Sequence, residues 1–128
     1  METLITKGIK VSVTTQFQLQ HSNPAQRRYI HSYEVTIENN SQDIVQLMRR
    51  HWIIKDGFAN VREVEGEGVI GEQPVLRPGQ KHTYSSWSPI PTEIGSMGGT
   101  FLMLRQSDMH SFKVRVPEFS LTADYKLN

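Results

Sequence analysis

Hydrophobic and polar positions alternate along most of this chain. Ile9, Val11, Val13, Phe17 and Leu19 fall on one face, and Lys10, Ser12, Thr14, Gln16 and Gln18 on the other. Such a repeat predicts a half-buried strand. His21 to Arg28 is rich in turn formers and charge and lacks periodicity, so it is expected to be an exposed loop. A second alternating run places Tyr29, His31, Tyr33, Val35 and Ile37 together and ends at Asn39-Asn40-Ser41, which reads as a turn. His31 sits on the apolar face, where a hydrogen-bonded structural histidine is expected before a metal ligand.

Val45 to Lys55 alternates less cleanly, with Val45, Leu47 and Ile53 on one side and Met48, Trp52 and Ile54 on the other, as in a central strand touched on both faces. Trp52 suits the core of an immunoglobulin-like sandwich, or else an exposed aromatic anchor of the kind found in binding hot spots. After a turn at Asp56-Gly57, a strand carries Glu63, Glu65 and Glu67 at alternate positions, which puts three carboxylates on one face. Lys81 to Trp87 is expected to be a strand that stops at Ser88-Pro89-Ile90-Pro91, because proline cannot donate to a central ladder. Thr92 to Gly99 reads as an irregular glycine-rich loop, and Phe101 to Leu104 as a strand buried on both faces. Phe112, Val114 and Val116 form a last alternating strand that Pro117 kinks or places at an edge.

About seven closely spaced strands, with no amphipathic helical stripe, predict an all-β fold. A sandwich is preferred to a barrel, whose closed register the prolines and glycines would interrupt. The 128 residues suit one domain spanning 1–128.

The densest motif is Gly66-Glu67-Gly68-Val69-Ile70-Gly71. Its spacing is that of a dinucleotide loop, which requires a helix beginning at the last glycine. Pro74 and Pro78 follow instead, so no long helix fits. The glycines are therefore expected to form a bulged, sharply turned crossing between strands, with a type II turn at Pro78-Gly79. Phosphate binding remains an alternative. Backbone N–H groups at Gly66, Gly68 and Gly71 would form the nest, and Arg62 or Arg77 would neutralise the charge.

A formal net charge of +1 argues against a nucleic-acid-binding field, although Arg27-Arg28 and Arg49-Arg50 form local basic spots. Cysteine is absent, which removes disulfides and thiol chemistry and suits a reducing compartment. No apolar run is long enough for a membrane span or a signal peptide, so a cytoplasmic protein is expected. Asn39-Asn40-Ser41 also matches a glycosylation sequon, but without a secretion signal it reads as turn chemistry. The five histidines are scattered, and no nucleophile elbow or phosphate-binding lysine motif occurs. Ser85-Ser86 and His82 lack the pattern of a catalytic triad. No enzyme and no cofactor are expected. Hard cations prefer oxygen ligands, so Glu63, Glu65 and Glu67 are the candidate for a divalent ion.

Arg50-His51-Trp52-Ile53-Ile54, the run from Val64 through Gly79, and Met97-Gly98-Gly99-Thr100-Phe101 closely resemble the bacterial ApaG family, as does Tyr33 to Asn39. The chain departs from the family pattern at Ser86-Trp87-Ser88, where a small or glycine-containing turn is usual, and at Glu93, where proline is common. The resemblance implies an immunoglobulin- or fibronectin-type-III-like sandwich and a genetic link to cobalt and magnesium resistance. Related domains in F-box proteins and in a polymerase-interacting protein imply protein binding. The expected function is a non-enzymatic interaction module that binds a protein partner, or a second copy through its sheet edges. Arg50 and Trp52 are the interaction candidates.

Overall fold

The computed structural model describes residues 1–124. Nine strands form two antiparallel sheets: β1 (Glu2–Thr6), β2 (Ile9–Phe17), β3 (Tyr29–Asn39), β4 (Val45–Lys55), β5 (Val61–Glu67), β6 (Val75–Leu76), β7 (Lys81–Ile90), β8 (Ile94–Arg105) and β9 (His110–Thr122). The first sheet has the order β1-β2-β3-β7. The second runs β5-β4-β8-β9, with β6 on β4 beyond the end of β5. The protein is an immunoglobulin-like all-β sandwich. Trp52 lies in its core, where strand C of an immunoglobulin domain carries its tryptophan.

The alternation becomes burial where both faces of a strand differ. Ile9, Val11 and Val13 of β2 and Tyr33, Val35 and Ile37 of β3 point inward, against Leu47, Phe101, Met103 and Leu121 of the other sheet. The irregular pattern of β4 has a specific cause. A β-bulge between Leu47 and Arg49 shifts the phase, so that Leu47 and Trp52 share the inner face instead of opposing each other. Trp52 is 3% exposed and packs edge-on against Tyr33, Phe101 and Phe119.

Three expectations need correcting. Thr92 to Gly99 is no loop, because β8 begins at Ile94 and pairs with both β4 and β9. There Gly99 is needed for space: a Cβ would strike the carbonyl oxygen of His51. β7 continues through Ser88-Pro89-Ile90, which is tolerated because β7 is an edge strand and Pro89 owes its outer side no donor. Thus Ser86-Trp87-Ser88 lies within a regular strand and forms no turn. Residues 2–6, for which no strand was expected, form β1, with Leu4 paired to Val11. Pro117 does mark an edge strand and an irregularity, since the β8–β9 register shifts between Met97 and Gly99.

Asn39-Asn40-Ser41 acts as turn chemistry. The buried Asn39 amide donates to the carbonyls of Asp43 (2.8 Å) and Leu76 (2.9 Å), and its oxygen accepts from Ser41. One side chain thereby joins the end of β3 to the opposite sheet. His31 is buried too, but neither ring nitrogen has a partner among the described residues, contrary to expectation. It is held by packing 5.3 Å from the Phe17 ring.

Replacing Gly99 with alanine is expected to cost about 2–4 kcal/mol in urea unfolding, because backbone must move. Gly79→Ala, with open space around it but a φ of +86°, should cost closer to 1 kcal/mol. A second prediction concerns pH. Burial lowers the His31 pKa, and Asp124 only partly restores it. The unfolded chain therefore takes up this proton first, so the residue's stabilising contribution is full above about pH 6.5 and is lost as the pH falls toward the folded-state value. His31→Leu should flatten the stability profile between pH 5 and 7 relative to the parent protein; equal slopes would refute this.

Candidate functional site

The two sides of the sandwich differ. On one side β1 and β2 pack against β9, and the Arg115 N–H donates to Thr6 Oγ1 at 3.3 Å. On the other, the edge strands β5 and β7 flank an open groove. Its wide part, about 510 Å³, is lined by Arg27, Arg28, Asp56, Asn60, Val61 and Pro91 among others. Its narrow part, about 240 Å³, lies over Tyr33, Arg50, Trp52, Tyr84, Ser88 and their neighbours. Arg62, Ile54 and Pro89 line both parts, and the Arg62 guanidinium crosses the opening to donate to the Pro89 carbonyl at 3.1 Å.

The glycine motif forms one wall. It makes a sharp turn between strands, as expected, but β5 and β6 both pair with β4 on the same edge, so it stays within one sheet. Between them Val69-Ile70-Gly71-Glu72 makes a two-residue hairpin turn, with mutual hydrogen bonds between Val69 and Glu72 (2.8 and 3.0 Å). Ile70 and Gly71 take φ of +49° and +73°, the left-handed pair that a type I′ turn requires. The passage to the first sheet occurs later, at Arg77-Pro78-Gly79-Gln80, where the Gln80 N–H donates to the Arg77 carbonyl and Gly79 has φ +86°. That matches the expected type II turn.

Arg50 organises this wall. Its guanidinium lies over Gly66, where a Cβ would come within 2.8 Å of two of its nitrogens, and it donates to the carbonyls of Glu67 (3.1 Å) and Gly68 (3.0 Å). The Gly68 N–H donates to the Met48 carbonyl exposed by the β4 bulge, and the N–H groups of Val69 and Glu72 serve the hairpin. The motif thus directs carbonyls at a cation and already engages the amides of Gly68 and Val69. A phosphate nest needs the opposite arrangement.

The other candidates separate by face. Glu63 and Glu65 point away from the groove and bracket His51 of β4, at 2.9 and 3.5 Å. Glu67 makes no third contact there. Among the described residues no three histidine, aspartate or glutamate side chains are placed to hold a metal ion. Arg62 enters the groove, whereas Arg77 is exposed on the turn before β7 and lines neither part. Arg50 lines the narrow part. Trp52 forms its floor but is too deeply buried to act as an exposed anchor. The half-exposed tryptophan is Trp87, which rests edge-on against His21 and reaches the same pocket.

Sequence reasoning missed Tyr84, Trp87 and Ser88. A signal existed, since Tyr84, Ser86, Ser88 and Ile90 fall on one face of a strand, but ending that strand at Trp87 concealed it. The Tyr33 hydroxyl bonds to Ser86, and burial raises the Tyr33 pKa. Burial and the neighbouring Tyr33 raise Tyr84 much further, with Arg50 opposing, so its phenol keeps its proton.

Strand order and a hairpin in place of a phosphate loop define an immunoglobulin-like β-sandwich with one open side. The profile of the ApaG domain matches residues 19–105. The chain belongs to the ApaG family. It is 44% identical over 121 residues to Protein ApaG of Rhodospirillum centenum, covering 94% of this chain and 92% of that one. It is 47% identical over 116 residues to Protein ApaG of a Methylobacterium species, covering 91% and 88%. The crystal structure of the ApaA protein from Bordetella pertussis superposes with a TM-score of 0.86 at 41% identity, over 89% of this chain and 92% of that one.

The contact of Arg50 with Gly66 can be isolated by a double-mutant cycle. Gly66→Ala should displace the guanidinium and cost about 1–3 kcal/mol. In an Arg50→Met background the same substitution should cost less than half as much, since nothing remains to be displaced. Additive losses in chemical denaturation would show that the two residues act independently.

Proposed function

We propose that this domain is a non-enzymatic interaction module whose recognition surface is the open side between β5 and β7, and that it takes an extended acidic segment of a protein partner. The supporting observation is charge and exposure in one place. The groove is lined by Arg27, Arg28, Arg50 and Arg62 against the single carboxylate of Asp56. Apolar side chains stand beside it: Val61 is 59% exposed, Ile70 63% and Trp87 51%. Exposed apolar surface mixed with arginine and aromatic residues is typical of binding hot spots.

Ile70 strengthens this reading. A β-branched residue at positive φ is strained, and an exposed isoleucine at a hairpin tip gains little burial in return. Both costs are offset if a partner covers the tip.

Pairing of two copies through sheet edges is the weaker reading. The outer edges of β7 and β9 carry Pro89 and Pro117, which supply no donor and blunt edge-to-edge addition. On the favoured reading the family's association with cobalt and magnesium runs through the partner, because the carboxylates of β5 lie on the opposite face from the groove. A cytoplasmic setting suits the cysteine-free chain, and no helix among the described residues is long and apolar enough to cross a membrane.

An array of extended 12-residue peptides, read by fluorescence anisotropy, tests the proposal. Acidic peptides with one or two apolar residues should bind best, weaken as salt rises, and lose roughly tenfold or more in affinity on Arg28→Glu or Arg62→Glu. Binding indifferent to peptide charge, or unaffected by both reversals, would overturn the reading.

A further inference from the structure

The narrow part of the groove has a feature that packing does not explain. Tyr84 is 8% exposed and Ser88 2%, yet neither Tyr84 Oη nor Ser88 Oγ has a hydrogen-bond partner among the described residues. A buried hydroxyl without a partner destabilises a fold. Both belong to the lining of the same pocket, as do Arg50 and Arg62. Tyr33 and Ser86 add two more hydroxyls, the other walls are apolar, including Val64, Ile70, Trp87 and Met97, and no aspartate or glutamate lines the pocket.

We infer that this pocket is an oxyanion site, in which a carboxylate or phosphate monoester on a short apolar stem is held by the Arg50 and Arg62 guanidiniums and by the Tyr84 and Ser88 hydroxyls. The donor set supports that chemistry. Arginine donates through a planar fork suited to carboxylate and phosphate oxygens, and only part of each fork is engaged inside the protein. Tyr84 stays protonated at any physiological pH and therefore remains a donor. With no acidic side chain on the walls, the cationic charge is not neutralised locally. A pocket of about 240 Å³ admits a single side chain or a small aromatic acid.

The site differs from the phosphate nest suggested by the glycine pattern. It is built from side chains of β4, β5 and β7, and the glycine hairpin contributes only its apolar tip. The inference rests on the open side being the binding surface, and it names the group on the partner segment that enters deepest.

The test uses the whole chain and two small probes, phenylacetate and phenyl phosphate, with phenylacetamide as the neutral control. Binding is followed by amide shifts in two-dimensional NMR, and thermal stability is measured on the same samples. Either acid should shift the amides of β7 and of the hairpin, whereas the amide control should not; the tighter probe identifies which oxyanion the pocket prefers. Tyr84→Phe and Ser88→Ala should each weaken the acid roughly tenfold. Neither should lower the melting temperature of the free protein, and either could raise it, because each removes an unpaired buried group. A hydroxyl kept for structure would show the reverse, with stability lost and probe affinity unchanged, and that result would overturn the inference. So would equal binding of the acids and the amide. Acidic peptides that bind through Arg28 with Tyr84→Phe and Ser88→Ala at full affinity would remove the pocket while leaving the wider docking surface intact. Acid binding in the pocket together with charge-indifferent peptides would do the opposite.

Discussion

A guanidinium lying across a residue with no side chain is the constraint on which the open side of this sandwich depends. Arg50 occupies the space above Gly66 and takes the carbonyls of Glu67 and Gly68 as acceptors. Its inward position follows from the β4 bulge, which restores alternation after Met48 and puts Arg50, Trp52 and Ile54 on the inner face. Three consequences share this origin. The carbonyls of Glu67 and Gly68 are turned toward the guanidinium, the hairpin tip with Ile70 is held over the groove, and a cation is fixed near the floor. Gly68 completes the turn at φ +60°, where a Cβ would also strike the Glu72 carbonyl.

The remaining structure supports an asymmetry between the two sides. Where β1 and β2 meet β9, aliphatic residues such as Val11, Val114 and Leu121 are fully or nearly fully buried. Toward β5 and β7 the interior changes to tyrosine, tryptophan, serine and arginine. An apolar filling would serve stability better there, because unpaired hydroxyls in low dielectric cost free energy and exposed isoleucine gains none. Departures from optimal packing that gather at one place are expected at functional surfaces. The aromatic cluster of Tyr33, Trp52, Phe101 and Phe119 forms the border between the two regimes and gives the groove a rigid floor.

Much of the fold was legible in the sequence because burial on a two-sheet sandwich follows a period of two. β3 could be read residue by residue and β2 as far as Phe17, whereas Leu19, expected on the same apolar face, lies in a short 3-10 turn and is exposed. The Pro78-Gly79 turn and the edge position of Pro117 followed equally from backbone chemistry. The losses came where one local signal hid a tertiary one. Glycines before Phe101 suggested an irregular loop, whereas Gly99 is there to let the β4 backbone pass close by. Pro89 suggested the end of a strand, whereas an edge strand accommodates it. A bulge cannot be seen in a pattern except as noise, so β4 looked buried on both faces and Trp52 could be read either as core or as an exposed anchor; it is core. The groove was the least legible feature, since it depends on which edges end up unpaired, and no short stretch of sequence carries that information. Arg62 was singled out for a phosphate nest at the glycines, whereas it lines the groove.

The register of strand β5 decides whether the groove stays cationic. Arg62 points inward, while Glu63, Glu65 and Glu67 point outward, two of them onto His51. In a strand the two faces exchange on a slip of one residue, so a shifted β5 would place its row of carboxylates in the groove and its arginine outside. Hydrophobic pattern does little to prevent this, since only Val64 and Gly66 of the strand are partly buried and the rest is exposed. What opposes the slip is Arg50, because Glu65 or Glu67 opposite it would bring a side chain into the space that Gly66 leaves empty. The contact that shapes the hairpin therefore also sets the register, and through the register it keeps the open side cationic. A glycine motif that looks like a phosphate loop makes positive charge available by a different route, as the bare surface against which an arginine is laid.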